Sequence, residues 1–422
     1  MSGHVFVVRG DLRKLGCDAW LTPCDVGAYP LRRWLEWPPD EPAVGARHPD
    51  PPKGWGRGGV RSFKLEQWPA HLPQPWLTNI GGSPKGGTAW FVQGAVQFLE
   101  RAAADLAGSP PRHRRARHLL ALPVVGTGFG GARRMAGEVV RELLPALYDA
   151  AARLEVDVAL VAIEGPTYAA AQAERARLNP DWSELGEELR EAGEKLARIA
   201  ARGDLVLFLG AGVSVNAGLP GWNDLLDALA QQAGMSAPER ADLARLDPLD
   251  RAHIVERRFG GAKALGDAIF HRHLVWHPSL AHQLLAALPV REAVTTNYDC
   301  LFELASEAAG RSVSVLPYAI ERDADRWLLK MHGCVSCIED IVLTREDYLR
   351  YENRRTALSG IVQALLITRH MLFVGFSLSD DNFHRIADAV RRALEPVARR
   401  GADRRFGTTL VLSPEPLLAE LW

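Results

Sequence analysis

The sequence predicts an α/β protein of two domains, and three observations carry that prediction. Its 422 residues exceed one ordinary domain. Short apolar runs suited to buried strands recur along it, with segments of helical period between them. The composition also changes near Gly165, where an Ala-, Glu- and Arg-rich stretch separates two such series.

The first series opens with Val5–Val8 and Asp18–Leu21, both predicted as strands. Residues 29–75 are rich in Pro, Trp and Gly without a sustained period, and predict an irregular excursion. Strand patterning resumes at Trp76–Ile80. Ala89–Leu106 has helical spacing. Leu119–Val125 predicts a strand leading into a glycine-rich loop, Val125–Gly131 (VGTGFGG). Met135–Leu154 predicts a helix, with Val139, Val140, Leu143, Leu144, Leu147 and Tyr148 at three- and four-residue intervals. Val156–Ile163 closes the series as a strand.

Pro180 interrupts the intervening stretch. Trp182–Ala201 predicts a helix, with Asp181 as N-cap and Gly203 as stop. The expected organisation is a first domain over 1–168, a linker with its helix over 169–203, and a second domain over 204–422. Leu205–Leu209 suits a central parallel strand. Ala293–Thr295, Trp327–Met331, Ile341–Leu343, Leu372–Gly375 and Thr408–Leu412 follow as predicted strands, in the rhythm of a doubly wound sheet.

Bulk properties narrow the function. Hydrophobic residues make up 47% and charged residues 24%, ordinary for a soluble globular protein. A net charge of −1 gives no overall field to attract nucleic acid or acidic membranes, so neither is an expected partner. The basic stretch 111–118 (PRHRRARH) reads as a solvated loop. Cys17, Cys24, Cys300, Cys334 and Cys337 lack a disulfide framework, which fits a reducing cytoplasm. The N-terminus lacks a signal-peptide pattern, and no window approaches the roughly 20 apolar residues of a membrane span.

The chemistry-bearing residues sit at predicted strand ends. Gly210-Ala-Gly-Val-Ser214 follows the central strand, where glycines permit a sharp turn and close approach to a pyrophosphate. The cluster alone is also compatible with a turn that binds nothing. Gly218-Leu-Pro-Gly-Trp-Asn223 follows it. Thr295-Thr-Asn-Tyr-Asp299, Lys330-Met-His-Gly333 and Gly375-Phe-Ser-Leu-Ser-Asp-Asp-Asn382 each cap a further strand. Open α/β sheets bind ligands at such carboxyl edges, and packing alone does not explain so many coincident polar edges.

In this order these segments resemble the sirtuin family, over nearly all of the second half. The resemblance implies a Rossmann-like sirtuin domain that binds NAD. It places Gly210, Ala211, Gly212 and Ser214 at the phosphates and adenosine, and Asn297 and Asp299 around the nicotinamide ribose. It makes His332 the catalytic base, with Asn297 as its catalytic companion, and sets Gly375 and Ser377 on the adenosine ribose. Pro220, Trp222, Thr296 and Asn382, in the same segments, complete the implied NAD-binding set. Breaking the N-glycosidic bond builds positive charge on the ribose. An Asn amide can orient hydroxyls or a water there, and a His with an ordinary pKa near ~6.5 can accept a proton at neutral pH.

Two departures bear on the reaction. Protein-deacylating sirtuins carry two C-x-x-C pairs for a structural zinc, whereas only Cys334-Val-Ser-Cys337 is present here. Two thiolates do not complete a tetrahedral site, so no metal is expected, and these cysteines read as small buried residues. The Asp-Phe-Arg run of deacylases is also missing after Gly218-Leu-Pro220. The closer likeness is to zinc-free, sirtuin-like effectors of bacterial antiviral defence, which share the T-T-N-x-D, K-x-H-G, Leu343-Thr-Arg-Glu-Asp-Tyr348 and G-F-S-L-x-D-x-N patterns. That likeness implies NAD as substrate and hydrolysis to nicotinamide and ADP-ribose.

Val5–Asp11, Asp18–Leu21, Trp76–Gly82 and Leu122–Gly131 together resemble a macro domain, which implies a macro-like fold and an ADP-ribose or related nucleotide site. Asp11 matches the family's adenine-reading Asp. Gly126, Thr127, Gly128, Phe129, Gly130 and Gly131 match its diphosphate loop, where backbone N–H groups capture anions. Thr22-Pro-Cys-Asp25 departs from the family's Asn-Ala-Ala-Asn, against ADP-ribose hydrolase activity. Within residues 29–75 only Gly56–Val60 matches the second glycine loop. The expected assembly is a homo-oligomer or a complex with another defence protein. Two other readings stand: an NAD-dependent protein deacylase or ADP-ribosyltransferase, and a non-catalytic NAD- or ADP-ribose-binding scaffold.

Overall fold

A computed structural model describes residues 3–30, 32–36, 38, 50–56, 59–81, 87–127, 133–178, 182–398 and 406–412. Its contacts fall into two units. One comprises Met1–Glu184 with Trp276–Ala287 and Leu304–Gly310; the other comprises Leu185–Val275, Leu288–Glu303 and Arg311–Trp422.

The first unit holds β1 (Val5–Arg9), β2 (Ala19–Cys24), β3 (Ser62–Lys64), β4 (Gln74–Asn79), α1 (Ala89–Leu106), β5 (Leu119–Pro123), α2 (Ala136–Leu154), β6 (Asp157–Ala162) and α3 (Gly165–Leu178). The sheet runs β1-β6-β5-β2-β4-β3. It is parallel except where the short β3 pairs antiparallel with β4. The helical period of α1 and α2 buries Phe91, Phe98, Leu99, Val139, Leu143 and Leu147 against one face of the sheet. Val8, Leu12, Trp20 and Leu77 build the core on the other. α3 packs on β1 and β6.

The predicted helix Trp182–Ala201 is α-helical only as α4 (Gly186–Ala201), after a 3-10 turn at Ser183–Leu185. Asp181, the expected cap, lies outside the described residues. Gly203 takes φ +77 and donates its N–H to Ala200 O, a left-handed stop that glycine adopts without a Cβ penalty.

Beyond it come β7 (Leu205–Leu209), α5 (Gly212–Val215), α6 (Trp222–Gln232), α7 (Ala237–Leu243), α8 (Pro248–Phe259), α9 (Ala262–His273) and α10 (Leu280–Ala287). α10 belongs to the first unit: it packs on β1, and Leu280 and Leu284 join the core there. The chain continues through β8 (Glu292–Thr295), α11 (Leu301–Ala308), β9 (Val313–Leu316), β10 (Arg326–Lys330), α12 (Arg345–Thr368), β11 (His370–Val374), α13 (Asp381–Ala398) and β12 (Gly407–Leu410).

The second sheet is wholly parallel, in the order β12-β11-β7-β8-β10-β9. After β7 the chain builds one side of the sheet, then crosses to the other at β11. The carboxyl ends of β7 and β11 therefore flank a topological switch point, where open α/β sheets bind ligands. Ile341–Leu343 corrects the sequence reading: it is not a strand. Val342 and Leu343 are buried because the segment runs past His332, bonding through Val342 N to His332 O, and ends in the Thr344–Asp347 capping box of α12. Among the described residues, no helix is long and apolar enough to cross a membrane.

Candidate active site

A cleft of about 710 Å³ opens at the carboxyl ends of the second sheet, within the usual range for small-molecule and cofactor sites. Ala211, Gly212, Ser214, Pro220, Trp222, Thr296, Asn297, Asp299, His332, Gly375 and Ser377 all line it. Four strands deliver them, so residues far apart in sequence converge. Gly210 and Asn382 are not among the lining residues; both support others that are.

The glycine turn is shaped by backbone packing. A Cβ on Gly210 would come closer than 3.0 Å to Gly375 O and Phe376 Cα, and one on Gly212 closer than 3.0 Å to Gly375 Cα. Gly375 itself takes φ +63. The N–H groups of Gly212, Val213 and Ser214 bond to Gly375 O, Gly210 O and Ala211 O. The Gly212 amide, which the sequence reading offered to a phosphate, instead ties the β7 turn to the β11 turn, while those of Val213 and Ser214 close the β7 turn on itself.

Asn297 is fixed by this turn. Its Nδ2 donates to Gly210 O and to Ser214 Oγ, each at 3.1 Å. Because Gly210 O can only accept, the amide orientation is determined. Ser214 Oγ in turn donates to Asp299 Oδ2 at 2.9 Å, and Asp299 Oδ1 accepts Leu301 N at the start of α11. Asn297 N bonds to Thr295 Oγ1. Ser214 and Asp299 thus hold Asn297. Its Oδ1 is buried and unpaired among the described residues, an arrangement that costs free energy unless a ligand or water supplies a donor.

His332 lies two residues beyond the end of β10 and is 3% exposed. Its Nε2 lies 3.4 Å from Asn382 Nδ2 and 3.5 Å from Asp380 Oδ2. Tyr348 donates its hydroxyl to the same Asp380 oxygen at 2.8 Å, and its ring meets the imidazole edge-on at 5.4 Å between centroids. Burial lowers the His332 pKa; Asp380 opposes that, and Arg355 adds to it. The imidazole is therefore neutral at neutral pH and able to take a proton. Sequence reasoning named Tyr348 and Asp380 only as members of patterns, without a role for either. The available signal for Asp380 was its position two residues before Asn382 in the segment after β11.

Trp222 lines the cleft and also packs against the helical core of α6, α8 and α9. Cys334 is not an inert apolar filler. Its sulfur lies 3.7 Å from that of Cys300 and 3.3 Å from Lys330 Nζ. Cys300, Glu303 and Cys334 present three potential metal-ligand atoms within 4.8 Å of one another, but the fully buried Lys330 ammonium already pairs with that group, 2.9 Å from Glu303.

The first unit has its own cleft, about 580 Å³, lined by Asp11, Gly126 and Thr127 together with Arg13, Cys24 and Asp25. Gly128, Phe129, Gly130 and Gly131 lie outside the described residues, as do parts of Gly56–Val60. The Asp11 carboxylate is already held by the Arg13 guanidinium and by Arg13 N.

Residues 291–417 match a family model described as SIR2-like domain. The chain is 28% identical over 209 residues to "NAD(+) hydrolase ThsA" of Enterococcus faecium, covering 48% of this chain and 43% of that protein. It is 31% identical over 203 residues to the Bacillus cereus protein of the same name, covering 46% and 41%. To "Defense-associated sirtuin 2" of Bacillus subtilis it is 27% identical over 217 residues, covering 49% and 21%. The chain thus spans less than half the length of these curated relatives.

Proposed function

We propose, for a chain whose C-terminal region is a SIR2-like domain, that the cleft of the second unit hydrolyses NAD to nicotinamide and ADP-ribose. The observation that carries this reading is the locked Asn297 amide, which keeps a buried, unpaired Oδ1 on a residue lining the same cleft as the neutral His332. As the nicotinamide–ribose bond breaks, positive charge grows on the ribose. Asn297 Oδ1 accepts a hydrogen bond from a ribose hydroxyl or the attacking water, and His332 accepts the proton released. The names of the similar NAD(+) hydrolase ThsA proteins support the substrate, and that of the defence-associated sirtuin supports a role in defence; depletion of NAD during phage infection is the role that joins the two. Water as acceptor is tested by following nicotinamide and ADP-ribose with and without an acetylated peptide. Equimolar release without peptide is expected; release only with peptide would replace hydrolysis by acyl or ADP-ribosyl transfer.

Asp380 is the positioning residue for His332. Asp380→Asn is expected to lower kcat about tenfold, less than the roughly 10²- to 10⁴-fold expected for loss of the general base itself. Because Asp380 raises the His332 pKa, its loss moves the acid limb of kcat/KM to lower pH. An unshifted limb would remove Asp380 from this role.

For the first unit we propose a macro-like domain that takes ADP-ribose or a related nucleotide in its cleft, supported by the convergence of Asp11, Gly126 and Thr127 on one set of strand ends. Calorimetric titration with ADP-ribose tests it: saturable binding weakened by Asp11→Ala is expected, and absent binding contradicts it. Within this reading the molecule works in the cytoplasm as a homo-oligomer or with a second defence protein.

A further inference from the structure

The buried group beside the catalytic segments does more than fill space. Lys330, 0% exposed, needs negative partners. Its Nζ donates to Asp299 O, lies 2.9 Å from Glu303 and 3.3 Å from Cys334 Sγ. Ser336 Oγ donates to the same sulfur at 3.1 Å. Cys300 Sγ stands 3.7 Å away on a half-buried residue. The Cys300 contact and, against the cost of burial, the Lys330 ammonium hold the Cys334 thiol below its ordinary value. Burial pushes the Glu303 carboxyl up. Cys334 Sγ, on a residue 2% exposed, thus faces the Lys330 ammonium, and a second thiol 3.7 Å away stands within reach of an oxidised sulfur. A sulfur beside a cation with a resolving partner has the chemistry of peroxide sensing.

We propose that Cys334 and Cys300 form a peroxide-responsive pair that closes into a disulfide. The Cys334 thiolate attacks one oxygen of hydrogen peroxide, the O–O bond breaks, and hydroxide leaves to take up a proton as water. The sulfur of Cys300 then attacks the resulting sulfenic acid; its proton and the departing hydroxide form a second water. Two thiols are oxidised by two electrons and one peroxide is reduced.

The consequence for activity rests on the NAD-cleaving reading. Cys300 follows Asn297-Tyr-Asp299 directly, and Cys334 lies two residues past His332. Bringing the sulfurs from 3.7 Å to the bond length of about 2.05 Å draws the two catalytic segments together and removes a negative partner from Lys330. Displacements of about 1 Å in such a site cost about 10²-fold in rate.

The test treats the full chain with hydrogen peroxide, blocks remaining thiols with N-ethylmaleimide, and maps non-reduced peptides by mass spectrometry. A Cys300–Cys334 cross-link, reversed by dithiothreitol, is expected. Cys300→Ser should instead leave a sulfenic acid that dimedone traps at Cys334, while Cys337→Ser should still cross-link. Absence of the cross-link, or linkage of Cys334 to Cys337, overturns the proposal. Nicotinamide release measured on the same samples should fall about 10- to 100-fold on oxidation and recover with dithiothreitol. Unchanged release despite the cross-link overturns the switch but leaves the cross-link standing. The peptide map needs no activity, so failure of the NAD-cleaving reading is seen separately.

Discussion

His332→Ala is expected to lower kcat for nicotinamide release by about 10²- to 10⁴-fold, the range a positioned general base supplies, with KM little changed. The imidazole is buried between Tyr348, Tyr351 and Asp380, so alanine leaves a small gap while the Asn297 side of the cleft keeps its own hydrogen bonds to the β7 turn. A matching rise in KM without a fall in kcat would make His332 a binding residue instead. The pH profile adds an independent check. The base must be neutral, and burial holds the His332 pKa below its ordinary value. The wild-type acid limb should therefore lie below about pH 6.5. Stability follows the same shift: the unfolded chain protonates this histidine first, so its contribution is fully present above about pH 6.5 and is lost as the pH falls below that toward and through the lower folded-state value.

Gly375→Ala is expected to abolish NAD binding at concentrations where the wild type saturates and to lower the melting temperature. Two costs combine. A residue with a Cβ at φ +63 pays roughly 1–2 kcal/mol for the left-handed backbone. The Cβ would also come closer than 3.0 Å to Val213 N and to the Gly212 backbone, and backbone cannot move aside as a flexible side chain can. Relief requires the β7 and β11 turns to part, and their contact forms the floor beneath Asn297. Gly234→Ala is the control. It takes φ +78 and meets nothing within 4 Å, so it should show the backbone penalty alone and retain NAD cleavage. Equal NAD affinity in Gly375→Ala and wild type, measured by calorimetry, would contradict this account of the cleft.

Local pattern made much of this legible. Leu205–Leu209 and Ala89–Leu106 form their elements with the predicted bounds, because a five-residue apolar run flanked by Gly203 and Gly210 is too short for a helix and a sustained helical period marks the other. Ile341–Leu343 misled because burial and strand pairing give the same apolar signal, and here the segment passes alongside His332 rather than joining a ladder. β9 was missed: at Val313–Leu316 it is a four-residue edge strand, too short for a period. The convergence of four strand ends could be anticipated from motif order, since carboxyl ends of parallel strands share one side of a sheet. What held the residues could not. Asp380 and Tyr348 meet His332 through the packing of α12 and α13, and Cys300 meets Cys334 across separate segments. The seating of α10 against β1 is likewise a long-range contact without a local signature.

One cleft, built by Asn297 and His332, is proposed to cut NAD. The decisive measurement quantifies nicotinamide released from saturating NAD by the purified wild-type chain and by Asn297→Ala side by side. Release by the wild type at least tenfold above that of a folded Asn297→Ala protein is the predicted result; equal release by the two, zero included, would contradict it.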